Sequence, residues 1–329
     1  MSSPQNPISL ESIRAVIASD LTGVDSVIRK RLASEVVLIN QISQYIIDSG
    51  GKRLRPALVV IAGNHFAAPK AHSQELAAVI EFIHTATLLH DDVVDESSLR
   101  RGRSTANAQF GNAAAVLVGD FLYSRAFQMM VEVGSMRVME VLAEATNVIA
   151  EGEVLQLLNI HDADTNEEKY LKVVRYKTAK LFEAACRVGA ILGNASARDE
   201  AALAEYGMHL GTAFQLIDDV LDYSGESGET GKNVGDDLAE GKPTLPLIYA
   251  LKKGTAPQQA AIRRAIEHGG RDELSAVVEA IQATGALDYA REQAQREAAT
   301  AEAAIGHLGN SVYRDALLEL CAFAVERRF

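Results

Sequence analysis

The sequence predicts an all-α protein, a helical bundle built around a central cavity. Three observations lead there. Apolar residues recur at helical spacing through most of the chain. Alanine, leucine and glutamate are common, and proline occurs only 7 times in 329 residues, as suits long unbroken helices. No stretch alternates apolar and polar residues for long enough to make a sheet.

The elements follow in order. Helices are predicted over about 8–19, 24–48 and 54–67. Gly50-Gly51 separates the last two, and Pro56 suits a first helical turn, where a missing N–H costs nothing. Ala68-Pro69 breaks the chain before a helix over 72–97. Helices over 112–133 and 136–159 meet at Gly134-Ser135. The polar stretch His161 to Asn166 precedes helices over 167–193 and 198–224. Beyond the glycine-rich segment Gly225 to Gly235 come 243–252, 257–267, 272–283, 286–306 and 310–327. None of these breaks resembles a long linker, so 1–329 reads as one domain.

Bulk properties narrow the function. A hydrophobic content of 48% supports a sizeable core, and a net charge of -12 argues against a general nucleic-acid surface. Cys186 and Cys321 stand far apart without a local motif, as buried free thiols of a reducing compartment do. Met1 to Leu10 lacks the basic and apolar regions of a signal peptide. The longest uncharged run, Ser104 to Gly119, falls short of the ~20 apolar residues that span a bilayer. The expectation is a cytoplasmic protein with no transmembrane segment.

Asp-Asp-x-x-Asp occurs twice, at Asp91-Asp92-Val93-Val94-Asp95 and Asp218-Asp219-Val220-Leu221-Asp222. Each copy follows an apolar stretch with helical pattern. Residues four apart share a helix face, so Asp91 points with Asp95 and Asp218 with Asp222. Like charges at that spacing destabilise a helix, which makes sense if cations sit between them. A solvated acidic face is the bland alternative, but the apolar flanks and the repeat argue against it. Hard oxygen ligands without nearby cysteine suggest Mg²⁺, which is commonly held by a few carboxylates and substrate phosphates. The motifs lie 127 residues apart, a hint of two similar helical halves facing each other.

Basic residues trail each motif. Asp95 is followed by Arg100-Arg101-Gly102-Arg103, and Asp222 by Lys232, Asp236-Asp237 and Lys242. Guanidinium forks grip phosphate oxygens and lysine supplies a point charge. A third cluster, Gly50-Gly51-Lys52-Arg53-Leu54-Arg55-Pro56, lacks the spacing and hydroxyl residue of a P-loop. It reads as a second phosphate site without nucleotide chemistry. Glu81-x-x-His84 has the spacing of a di-iron ligand pair, but no second copy exists.

These motifs together resemble the trans-isoprenyl diphosphate synthases. The resemblance rests on Gly50 to Pro56, Leu88 to Asp95 with Arg100-Arg101-Gly102, Lys177-Thr178, Phe214 to Asp222, and Gly231 to Pro246. They fall in family order over residues 50–250 or so. Val118 to Phe121, Arg125 to Met130 and Ile149 to Gln156 are similar to the group that makes octaprenyl side chains of quinones. The implied fold is the isoprenoid-synthase bundle.

The resemblance also implies roles. Asp91, Asp95, Asp218 and Asp222 would hold Mg²⁺, three ions with substrate bound, assisted by Asp92 and by Asp219 behind them. Arg100, Lys177, Lys232 and Lys242 would contact an allylic diphosphate. Lys52, Arg55, His84 and Arg101 would bind isopentenyl diphosphate. Thr178 and Gln215 would set oxygen atoms near the developing allylic cation. The implied enzyme is a prenyltransferase and homodimer, working by ionisation, condensation and loss of a proton to released diphosphate. Its product would serve membrane-associated quinone synthesis.

Ala86 and Thr87, one turn upstream of the first motif, are small where short-chain members carry a bulky aromatic. The first motif also lacks the two-residue insertion of the bacterial farnesyl type. A long product follows, with a floor among Phe127, Met129 and Met130. A farnesyl or geranylgeranyl synthase, a terpene cyclase and a subunit of a two-component synthase are the alternatives. The intact second motif and the Gly-Gly-Lys-Arg loop weigh against the last two.

Overall fold

The computed structural model describes residues 10–327 apart from 49, 101 and 225–233. In chain order, α1 spans Leu10–Val16, α2 Ala18–Leu32, α3 Val37–Asp48, α4 Leu54–His65 and α5 Lys70–Val94. A hairpin pairs β1 (Leu99–Arg100) with β2 (Arg103–Ser104). Then come α6 (Ala106–Phe110), α7 (Asn112–Val133), α8 (Met136–Asn159) and α9 (Glu167–Val173). A π-helical turn, Val174–Ala179, leads into α10 (Lys180–Leu192) and α11 (Ala197–Tyr223). The chain continues through α12 (Asp236–Ala239), α13 (Leu245–Lys253), α14 (Ala256–His268), α15 (Leu274–Thr284), α16 (Ala286–Ala304) and α17 (Val312–Glu326). Among the described residues no helix is long and apolar enough to cross a membrane.

The contacts divide into two compact units. The first comprises Met1–Thr146, Leu181–Gly207 and Ala304–Phe323. The second comprises Asn147–Lys180, Met208–Ala303 and Ala324–Phe329.

Helix α5 is the axis of the first unit. Every residue from Leu76 to Ile83 is buried, as is every residue of α4 from Pro56 to Gly63. Helices that are apolar all round belong inside, and α5 packs against α7, α4 and α2. Gly119 lets α7 close on α5, since a Cβ there would stand 2.4 Å from His90 Nε2. His90 Nε2 also lies 3.2 Å from the Val116 carbonyl. Farther down α5, Phe82 and Thr85 share a small chamber with Leu122. The two helices therefore run antiparallel, with Ala86 close to the level of Leu122. Cys186 and Cys321 are both free and buried in this unit.

The second unit has two apolar clusters. One gathers Leu247, Ile262, Ile266, Val277 and Ile281. The other gathers Leu216, Ile217, Val220, Leu245, Ala290 and Ala294, with Tyr170 and Val174. Ala286, Ala290, Ala294, Ala298 and Ala301 form a buried stripe along α16. Small side chains spaced four apart let neighbouring helices approach closely.

Several elements differ from the sequence reading. The helix predicted over 24–48 is two helices. The Ser34 N–H donates to Asn40 Oδ1 at 3.0 Å, and Ser34 Oγ accepts the Val36 N–H at 3.2 Å. Such side-chain bonds compete with the helical ladder. The predicted 167–193 helix carries the π-helical turn in its interior. The hairpin at residues 99–104, α6 and α12 are too short for periodicity to reveal.

Candidate active site

Each aspartate motif closes a helix. Helix α5 stops at Val94 and Asp95 is its C-cap. Helix α11 stops at Tyr223, one residue beyond Asp222. Helix C-termini carry partial negative charge, so carboxylates are unfavourable there by about 0.3–1 kcal/mol each and cations are welcome. Within each motif the aspartates divide alike. Asp92 is 4% exposed and Asp219 is 2% exposed, whereas Asp91, Asp95, Asp218 and Asp222 are half-buried.

The two middle aspartates have internal partners. Arg100 donates to Asp92 Oδ1 from Nε at 2.9 Å and from Nη2 at 2.7 Å. Burial pushes the Asp92 carboxyl up, Arg100 pulls it back, and Asp91 and Asp95 add to the rise. The Tyr170 hydroxyl donates to Asp219 Oδ2 at 2.5 Å, and Gln215 Nε2 donates to Oδ1 at 2.8 Å. Burial, helped by Asp237, pushes the Asp219 carboxyl up, and the hydrogen bonds from Tyr170 and Gln215 pull it back.

Of the outer aspartates, Asp218 is met by Arg327 Nη1 at 2.6 Å. The Arg327 guanidinium is 2% exposed and lies 3.7 Å above the Phe214 ring. Asp222 accepts the N–H of Asp236 at 3.2 Å and of Asp237 at 3.3 Å. This donor set suits a hard divalent cation, being all carboxylate oxygen, half-exposed and placed at helix C-termini. Among the described residues no three His, Cys, Asp or Glu side chains are grouped to hold a metal by themselves. Mg²⁺ commonly takes one or two carboxylates and completes its shell with waters and substrate phosphates.

The basic loop sits beside α5 in the first unit. Arg53 takes φ 51° as the N-cap of α4, a left-handed conformation uncommon outside glycine. Its guanidinium pairs with buried Glu81 and lies 3.9 Å from Asp25. Glu81 is thus committed to Arg53, which answers the di-iron question. One turn along α5, His84 Nε2 lies 3.2 Å from Arg55 Nη1. Guanidinium only donates, so His84 Nε2 accepts and the ring proton sits on Nδ1. Arg55 also lies 4.5 Å from the Phe182 ring centroid. A cleft of about 610 Å³ is lined by Arg53, Glu81, His84, Thr85, Asp92 and Arg100. Lys52 is half-buried in the loop. Arg101 lies outside the described residues.

A second cleft, about 590 Å³, belongs to the second unit. Lys177, Thr178, Gln215, Asp219 and Lys242 line it. The π-helical turn carries Lys177 and Thr178, and such turns recur at functional sites. Gly152 on α8 makes room for it, because a Cβ there would stand 2.6 Å from the Lys177 nitrogen. Lys177 Nζ reaches Glu153 and Gln156 Oε1, each at 2.5 Å. Lys242 Nζ lies 2.5 Å from Glu240. Thr178 Oγ1 donates to Gln215 Oε1 at 3.1 Å. Lys232 lies outside the described residues.

The residues read as setting product length divide between α5 and α7. Ala86 and Met130 have no exposed surface. Thr87 is half-buried and donates to the His84 carbonyl at 2.8 Å. Phe127 is half-buried and stacks on Tyr123 at 6.3 Å. Sequence reasoning singled out neither Arg53 nor Glu81, Tyr170 or Arg327 as site residues. The Glu81-x-x-His84 spacing was a usable signal for Glu81. A lone tyrosine on one helix and an arginine near the chain end gave none.

Comparison with known proteins decides the family. The polyprenyl synthetase family profile matches residues 36–284. The chain belongs to the polyprenyl synthetase family. It is 54% identical to the octaprenyl diphosphate synthase of Escherichia coli (strain K12) over 321 residues, 97% of this chain and 99% of that one. A polyprenyl synthase from Caulobacter crescentus CB15, crystallised with calcium and isoprenyl diphosphate, superposes with a TM-score of 0.95 at 44% identity. That match covers 99% of this chain and all (100%) of the other. A decaprenyl diphosphate synthase from Rhodobacter capsulatus gives a TM-score of 0.92 at 44% identity, covering 98% and 100%. The fold is therefore the all-α isoprenoid-synthase fold of that family.

The Arg53–Glu81 pair makes one stability prediction within this family fold. Glu81→Gln leaves the half-buried Arg53 guanidinium with only the more distant Asp25 as counter-charge. We expect a loss of about 1–3 kcal/mol, read as a lower urea midpoint at unchanged m-value. An unchanged midpoint would show that Arg53 draws nothing from Glu81.

Proposed function

We propose that this prenyltransferase is an all-trans long-chain polyprenyl diphosphate synthase. It condenses isopentenyl diphosphate onto an allylic diphosphate, with farnesyl diphosphate as primer, to give the octaprenyl or nonaprenyl precursor of quinone side chains. The observation that carries the reading is the division within each motif. A braced, buried middle aspartate accompanies two half-exposed ones at a helix C-terminus, and cationic side chains line the adjoining cleft. The octaprenyl and decaprenyl names of its relatives support a long product.

In this reading Asp91 and Asp95, with Asp218 and Asp222, supply carboxylates to Mg²⁺. When bound, Mg²⁺ neutralises a diphosphate and stabilises it as a leaving group. Lys177, Lys242, Lys232 and Arg100 add positive charge where the leaving group becomes more negative. Lys52, Arg55, Arg101 and His84 hold the second diphosphate. The His84 Nδ1 proton leaves that ring a donor while Nε2 is taken by Arg55. Thr178 and Gln215 turn oxygen toward the carbon that loses the diphosphate. The alkene of isopentenyl diphosphate then attacks that carbon, and the proton lost from the adduct passes to released diphosphate. The apolar α5 and α7 faces keep water from the cation.

Exposed Leu117 and Val131 on α7 and Met136 on α8, each more than 60% exposed, supply apolar surface for a homodimer. Incubation with farnesyl diphosphate, isopentenyl diphosphate and Mg²⁺ should give a prenyl chain of eight or nine units by mass spectrometry. Activity should vanish with chelator and return with Mg²⁺. Absence of products longer than geranylgeranyl would sink the long-chain reading. Sedimentation of the active material should give twice the 35.3 kDa chain mass; a monomer would remove the dimer.

Ala86→Tyr places a ring in the α5–α7 seam one turn below the first motif. The product should shorten by several units while the first condensation still proceeds. An unchanged length distribution would move the tunnel away from Ala86.

A further inference from the structure

Tyr170 has no part in the reaction described above, yet it is a deeply enclosed polar group lining the second cleft. It is 6% exposed and packs with Leu216, Ile217 and Val220. Its hydroxyl begins a directed chain. Tyr170 donates to Asp219 Oδ2 at 2.5 Å, Gln215 Nε2 donates to Asp219 Oδ1 at 2.8 Å, and Thr178 Oγ1 donates to Gln215 Oε1 at 3.1 Å.

The direction of that chain matters because an amide has two unlike ends. A carbonyl oxygen stabilises a neighbouring cation, and an NH₂ group opposes one. Gln215 can present either end by turning over about its last torsion. Asp219 decides which, because its Oδ1 takes the NH₂ and leaves Oε1 on the side of Thr178 and the cleft. Asp219 can itself rotate about its carboxyl torsion, and Tyr170 holds Oδ2. Asp237 and Asp218 also bear on Asp219 electrostatically but offer no donor, so the hydroxyl of Tyr170 is the side-chain bond that anchors the far oxygen.

We propose that Tyr170 is a positioning residue that fixes the polarity of the Gln215 amide, through Asp219, so that oxygen and not NH₂ faces the carbon that becomes cationic. The inference rests on the prenyl-transfer reading above and adds a residue to it. Tyr170 touches no substrate. Its removal should therefore slow ionisation without weakening diphosphate binding.

The test is a double-mutant cycle on the full chain. Tyr170→Phe keeps the ring and removes the hydroxyl. We expect kcat to fall roughly tenfold to hundredfold, as for loss of a hydrogen bond to a buried carboxylate, with KM for farnesyl diphosphate and the Mg²⁺ half-saturation within about twofold. Gln215→Leu should fall at least as far. The double variant should be no slower than Gln215→Leu alone, because Tyr170 acts only through that amide. Losses that multiply would overturn the inference, as would a Tyr170→Phe effect carried by KM. Binding of the unreactive thiolodiphosphate analogue of the primer, by calorimetry, checks that the site is formed. If Tyr170→Phe does not fold, fluorotyrosines at position 170 replace it. A kcat that tracks phenol acidity supports the inference, and a flat series overturns it. The two readings fail separately: an unsubstituted chain without prenyl transfer sinks the function, and an active chain with multiplying losses sinks the coupling.

Discussion

Six carboxylates at the carbonyl ends of two apolar helices impose a cost that the surrounding structure must answer. Neighbouring like charges and the helix C-terminus both oppose ionisation. Burial adds a third penalty for Asp92 and Asp219. The chain answers with different means at different positions. Asp92 receives a guanidinium, Asp219 a phenol and an amide, Asp218 the buried Arg327, and Asp222 two backbone N–H groups. The middle carboxylates are consumed by these partners. The outer aspartates of each motif remain half-exposed, and their further requirement for positive charge is one that a cation bound with a diphosphate can meet.

The cationic side chains are prepared in the complementary way. Lys177 and Lys242 each rest on a glutamate at 2.5 Å. Neither lysine points as a bare charge into the cleft, which would repel its own neighbours. A diphosphate carries more negative charge than either glutamate and can draw the flexible lysine away. The guanidiniums are held more firmly. Arg55 is fixed by His84 and the Phe182 ring, and Arg53 by Glu81. In the proposed reaction a firmly held fork such as Arg55 suits recognition of a substrate bound at each cycle, and an ammonium on a flexible stem suits a charge that grows as the bond breaks.

Much of this was legible before any coordinates. The 112–133 and 136–159 helices coincide with α7 and α8, since long apolar periodicity and a Gly-Ser break leave little else. The inward turn of Asp92 and Asp219 follows from ~100° per residue on a helix. The identities of their partners were not legible. Tyr170 stands 49 residues before Asp219 and Arg327 stands 109 after Asp218, and no local pattern links such pairs. The π-helical turn was invisible for a different reason. It preserves helical composition and shifts the register by a single residue, which no periodicity resolves. Gly152 was its only trace, within a stretch already flagged for resemblance but with no role attached. Ser34 misled for lack of a strong breaker, since serine interrupts a helix only when its own hydrogen bonds win.

The helix that ends in the first motif also carries Ala86, where the proposed product tunnel begins, so the two proposed functions of α5 occupy different levels of one helix. Ala86 lies five residues before Asp91, about 7.5 Å along α5 at 1.5 Å per residue. The antiparallel seam sets Leu122 near that level. Met130, eight residues further along α7, therefore stands roughly 20 Å below the carboxylates. At those depths side chains would be out of reach of the diphosphate and cation of the proposed reaction. In the proposed synthase their volume would set where a growing apolar chain stops, while the carboxylate end keeps its charge balance. A substitution in the seam is paid in packing between α5 and α7, and the chemistry at the end of α5 is left as it was.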